Sequence, residues 1–177
     1  SVYSVGVNTT VAVYLVDDGG GNANDNCTVT GNSIYLGTAA DVGIRVGNAT
    51  AEIGIVVSDN SIYSSITGAF GIHINFADGL VVSGNNIRNF TNAITNSGSA
   101  NACVDFNITG NNCYNCATAI YFIVSFAGMG ISNNVCETLT AAGIFLDPGA
   151  VFTYDCVVSG NTVRDAATDG IYIDSGG

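Results

Sequence analysis

One phrase recurs through this chain and restricts what it can fold into. Val81-Val82-Ser83-Gly84-Asn85-Asn86-Ile87-Arg88 is echoed by Val29-Thr30-Gly31-Asn32-Ser33-Ile34, Val57-Ser58-Asp59-Asn60-Ser61-Ile62, Ile108-Thr109-Gly110-Asn111-Asn112-Cys113 and Val158-Ser159-Gly160-Asn161-Thr162-Val163. Ile131-Ser132-Asn133-Asn134-Val135 reads as a shortened copy. With the anchoring Asn taken at 32, 60, 85, 111, 133 and 161, the steps are 28, 25, 26, 22 and 28 residues. An imprecise period of this size, carried by alternating apolar residues and turn residues, marks a β-solenoid. Each copy is followed by a second phrase, as in Gly43-Ile44-Arg45-Val46, Gly71-Ile72-His73-Ile74 or Gly170-Ile171-Tyr172-Ile173. A third strand, such as Ile53-Gly54-Ile55-Val56-Val57, leads into the next anchor. Three short strands per period predict an all-β, three-sided coil repeated about six times.

The period-2 alternation sends Ile44 and Val46 inward and Arg45 outward. Parallel strands cannot be joined by a tight hairpin, and one whole turn of the coil supplies the long return path they need. Asn tolerates the left-handed backbone of a corner, so the anchor Asn is expected to occupy that conformation. Corners stacked about 4.8 Å apart would let the amides bond along a column. Ile34, Ile44, Ile62, Ile72, Ile87, Ile94, Ile120, Ile144, Val163 and Ile171 are the expected core.

In these repeats the chain resembles the right-handed parallel β-helix of the pectin-lyase-like superfamily, which includes pectate lyases, polygalacturonases and phage tailspikes. The likeness covers residues 26–177. Residues 1–25 form a leading strand and an Asp/Gly/Asn-rich loop that start a partial first coil. The resemblance is specific for fold; one such fold hosts many functions.

Composition narrows the partners. The chain has no Lys, only Arg45, Arg88 and Arg164 as cations, and a net charge of −11. Nucleic acid is a poor partner, because phosphates need a basic stripe. No run of 18 apolar residues is present, so no membrane span is expected. Ser1 is not an initiator Met and no signal-like segment follows, which reads as a mature form or an excised fragment. The loop Asp17–Asn26 is rich in oxygen donors but follows no known calcium spacing. No cofactor is expected, with calcium at that loop the one alternative.

Six Cys and a single His, His73, form no zinc pattern. Repeat alignment puts Cys27, Cys113 and Cys156 in the core. Cys103, Cys116 and Cys136 read as loop or outward positions, where one disulfide would suit an extracellular protein.

Stacking turns single residues into outward columns. One holds Tyr35, Tyr63, Arg88, Tyr114, Cys136 and Arg164; a second holds Arg45, His73, Thr95, Tyr121, Phe145 and Tyr172. Exposed aromatics with Arg suit sugar stacking, and they equally suit a protein interface. Tyr35, Tyr63, Arg88, Tyr114, Tyr121 and Tyr172 are thus the candidates for glycan binding or assembly. For catalysis the best pair is Asp147 and Asp174, which align one coil apart and could serve as two glycosidase carboxyls. The resemblance argues against that chemistry: the polygalacturonase motifs Asn-Thr-Asp, Gly-His-Gly and Arg-Ile-Lys are missing, and a lyase would need a catalytic Lys or Arg. The preferred reading is a structural or binding β-helix at an extracellular, cell or virion surface. It would self-associate as an end-to-end fibre or a lateral trimer. A tailspike-like polysaccharide depolymerase and a monomeric glycan-binding module are the alternatives.

Overall fold

A computed structural model describes residues 2–4, 11–15, 26–37, 42–47, 52–96, 103–124, 126–147 and 155–174. Their regular structure is entirely β, with no helix among the described residues. The strands are paired in parallel, coil on coil, as in Val81–Ser83 between Val56–Ser58 and Cys103–Thr109. A sheet of 8 strands carries the segments that enter each Asn corner. A sheet of 12 strands carries those that leave it. The first and second strands expected per coil merge in the long strands Ser61–Ile74 and Asn86–Thr95, so the larger sheet wraps two sides of the coil. The fold is the parallel β-helix that the repeats predict. Residues 64–69 lie within Ser61–Ile74, where the register shifts between Arg88 and Phe90 of the next coil. The calcium candidate loop from Asp17 to Asp25 lies outside the described residues.

The corner geometry corrects the sequence reading by one residue. Positive φ falls on Gly31 (67°), Asp59 (56°), Gly84 (64°), Gly110 (65°), Asn133 (56°) and Gly160 (63°), not on the anchor itself. Glycine has no Cβ to clash there, and Asp and Asn tolerate it. The ladder residue follows each of these. Asn133 is therefore the equivalent of Gly110, and Asn134, not Asn133, carries the ladder. The copy at 131–135 is complete.

Six side-chain amides run through the resulting column. Asn32, Asn60, Asn85, Asn111 and Asn134 each donate both backbone N–H and Nδ2 to the Oδ1 of the next Asn, ending at Asn161, at 2.9–3.0 Å. The second Nδ2 hydrogen goes to a backbone carbonyl of the preceding coil, for example Asn85 to Val57 at 2.9 Å. Four of these residues are buried, and the chain of bonds leaves their polar atoms paired.

Below the ladder lies a continuous core. Ile44, Ile62, Ile72, Ile87, Ile94, Ile120 and Ile144 are fully buried, as the alternation requires. Val163 and Ile171, expected in the same set, are not; Val163 is half-buried and Ile171 is 47% exposed. Both lie in the last described coil, and no described residue packs beyond them.

Candidate functional site

The larger sheet displays the two outward columns. Tyr35 and Tyr63 sit with ring centroids 5.4 Å apart, and the Arg88 guanidinium lies 5.6 Å from the Tyr114 ring. The next position is Glu137, not Cys136, because Tyr114 pairs with Glu137. Arg164 follows and donates to Glu137 Oε1 at 2.7 Å. In the second column Tyr121, Phe145 and Tyr172 form a stack with spacings of 5.3 and 4.7 Å. Its rings spend their faces on one another. The middle of that column is buried: His73 and Thr95 are at most 3% exposed. His73 accepts from Arg45 Nε at 3.3 Å through Nδ1 and packs on Phe70.

Asp147 and Asp174 continue the paired strands Ile144–Leu146 and Ile171–Ile173 and are neighbours on adjacent coils. Tyr172 donates to Asp174 Oδ2 at 3.3 Å. The Asp174 carboxylate raises the Tyr172 pKa, with smaller contributions from desolvation and from Asp147 and Asp169. These acids share one edge of the larger sheet. The groove in the surface is elsewhere, on the outside of the smaller sheet, lined by Asn107, Gly130, Ser132, Asp155, Val157 and Ser159. It exists because Gly130 lacks a side chain between Asn107 and Val157. The structure does not bring Asp147 or Asp174 to it.

Sequence reading missed the cysteines. Once Asn134 is the anchor, Cys136 falls opposite Cys113, and the two are register partners pointing inward. A one-residue slip moves a side chain to the other face of a strand. Cys103, Cys116 and Cys136 are all at most 2% exposed, so they are core residues and not outward ones. Cys103, Cys116 and Cys136 are free thiols, and the disulfide expected among those three is not formed. Cys113 and Cys136 share a hydrogen bond, and Cys116 is close enough to both to interact electrostatically. The Cys113 thiol pKa is held well above the ordinary value by the bond to Cys136 and then by burial. Burial pushes Cys103 and Cys116 up to about 11. The signal was in the sequence: the residue before each anchor is Gly, Asp or Asn, and Asn133 fits that place.

These thiols are soft donors of the kind that select monovalent copper. Among the described residues no group of three or more His, Cys, Asp or Glu is placed to hold a metal ion. Cys113 and Cys136 stand side by side as register partners on adjacent coils.

Among the described residues no helix is long and apolar enough to cross a membrane. A family model described as "Periplasmic copper-binding protein (NosD)" matches residues 65–176. No curated protein and no solved structure matches the chain. The family description overturns the expectation of no cofactor, since copper binding is what names the family. That expectation rested on the lack of a zinc or calcium spacing, which says nothing of two cysteines joined by coil stacking. The match covers well over half of the chain and agrees with the observed coil, and the chain belongs to the NosD family of periplasmic β-helix proteins.

Proposed function

We propose that this chain is an extracytoplasmic structural and binding β-helix that self-associates by adding coil to coil. One observation carries the reading. Ile171 and Ile173 are 47% and 57% exposed, whereas their partners one turn earlier, Ile144 and Leu146, are fully buried. A parallel edge over an apolar core is buried by the next coil, whether that coil belongs to the same chain or to another copy. At the other side of the coil stack, Val13 and Leu15 pair with Ile44 and Val46 and are themselves half-buried. In repeat register, Val13, Tyr14 and Leu15 of one copy would follow Ile171, Tyr172 and Ile173 of another. Such a contact is heterologous and propagates without closing. The lateral trimer through Tyr35, Tyr63, Tyr114 and Tyr121 is the competing arrangement. The glycan-binding and depolymerase alternatives have less support: Tyr121, Phe145 and Tyr172 stack on each other, and Asp147 and Asp174 do not line the groove on the smaller sheet.

Light scattering on the purified protein tests this. The expected result is concentration-dependent association that grows with salt, since a net charge of −11 opposes the approach of copies. Ile171→Asp with Ile173→Asp should leave a folded monomer. Tyr63→Ala with Tyr114→Ala should associate as the parent does. Association lost in the tyrosine variant and kept in the isoleucine one would replace the end-to-end reading with the lateral one.

A second reading has its own support. The family description names copper, and the chain sets the buried Cys113 and Cys136 side by side on adjacent coils. On that reading the coil holds copper, supplied in its reduced state, as the soft donors favour. Metal analysis after anaerobic loading and gel filtration should find copper retained with the protein.

A further inference from the structure

We infer that Cys113 and Cys136 form a two-sulfur site for monovalent copper in the interior of the coil, with Cys116 as a neighbouring third thiol. The inference rests on the copper reading above and assigns it to particular residues.

The pair occupies a column that is otherwise aliphatic. Ile34, Ile62 and Ile87 precede Cys113 in register, and Val163 follows Cys136. As register partners on adjacent parallel strands, Cys113 and Cys136 stand next to each other, about 4.8 Å apart along the stack. Both residues are fully buried. No group of three or more ligating side chains stands ready among the described residues, which disfavours a tetrahedral zinc site. Two sulfurs in an apolar interior suit an ion that is soft and content with few ligands.

Binding has a definite proton balance. Two S–H bonds break, two S–Cu bonds form, and two protons leave to solvent. The copper enters and stays monovalent, so no oxidant or reductant takes part. The bond to Cys136, and then burial, raises the Cys113 pKa. The positive ion then offsets the repulsion that two adjacent thiolates would feel. Cys116, at the corner after the left-handed Asn115, is the thiol of the three nearest to the surface, at 2% exposure.

Anaerobic competition against a coloured monovalent-copper chelator, with X-ray absorption at the copper edge, tests the assignment. One copper per chain with a sulfur-only shell is expected. Affinity should rise with pH, because protons leave as the ion binds. Cys136→Val keeps the column apolar, as Val163 does in the next coil, and should preserve hydrogen-exchange protection while lowering affinity by at least about 100-fold. Cys113→Ser should lower it similarly, and Cys103→Ser should not. Full affinity in a folded Cys136→Val variant, or nitrogen and oxygen in the shell, would overturn the site and leave the copper reading standing. No copper retained by the parent protein would end both. Finding Cys113 and Cys136 joined as a disulfide after unfolding without reductant would also overturn the site.

Discussion

Ile94→Asp abolishes the protected structure of the central coils. Ile94 is fully buried and stacks in register between Ile72 and Ile120. The substitution removes packing worth about 2–5 kcal/mol. It also places a carboxyl where no partner exists, at a cost of several kcal/mol more even if it is neutralised. The sum rivals the total stability of an ordinary domain, about 5–15 kcal/mol. In a solenoid each coil is held by its neighbours, so the damage should spread from the lesion. Hydrogen exchange should show protection lost across Ser61–Ile74, Asn86–Thr95 and Thr118–Phe122. The same chemical change at Ile173, which is 57% exposed, should leave those strands protected. Equal loss of protection from both positions would contradict the stacked-column account.

The fold was legible because its signal is repeated. A single strand of three residues says little, but the same alternation read in successive coils fixes which residues face inward. Ile44, Ile72 and Ile94 were placed correctly on that ground alone. What was not legible arose where the repeat was misread by one position. Taking Asn133 as the anchor cast Cys136 outward beside Tyr114 and hid its pairing with Cys113. Glu137, the true neighbour of Tyr114, was lost from the column for the same reason. The second kind of miss concerns neighbours beyond the local pattern. Val163 and Ile171 carry the correct pattern for burial, yet burial needs a coil on both sides. Alternation reports the direction of a side chain and not what lies over it. The middle of the second outward column shows the converse: His73 and Thr95 point out of the coil and are nevertheless buried. The thiol pair was least legible, since it depends on two residues 23 positions apart meeting through stacking.

Asn85→Ala should cost about 3–5 kcal/mol, far more than an ordinary polar-to-alanine change, because each ladder amide serves two coils. Asn85 Oδ1 accepts from Asn60 N–H and Nδ2, both at 3.0 Å. Its Nδ2 donates to Val57 O and to Asn111 Oδ1, both at 2.9 Å. Alanine leaves the Asn60 N–H without an acceptor and Val57 O short of a donor, in surroundings closed to water. Each buried orphan costs about 1–3 kcal/mol. Asn111 Oδ1 keeps the backbone N–H of residue 85, so the damage is directed toward the preceding coil. Asn161→Ala provides the contrast. Asn161 is only half-buried, and water can replace part of what its amide supplies to Asn134. Its removal should cost about 1 kcal/mol, the usual net worth of an accessible hydrogen bond. Asn85→Asp should be at least as damaging as alanine, because a carboxylate can accept from Asn60 but cannot donate to Val57 or Asn111. Urea unfolding of the three variants measures the ranking. If Asn161→Ala proves as costly as Asn85→Ala, the amides act as independent turn residues and the column does not stabilise the coil through its continuity.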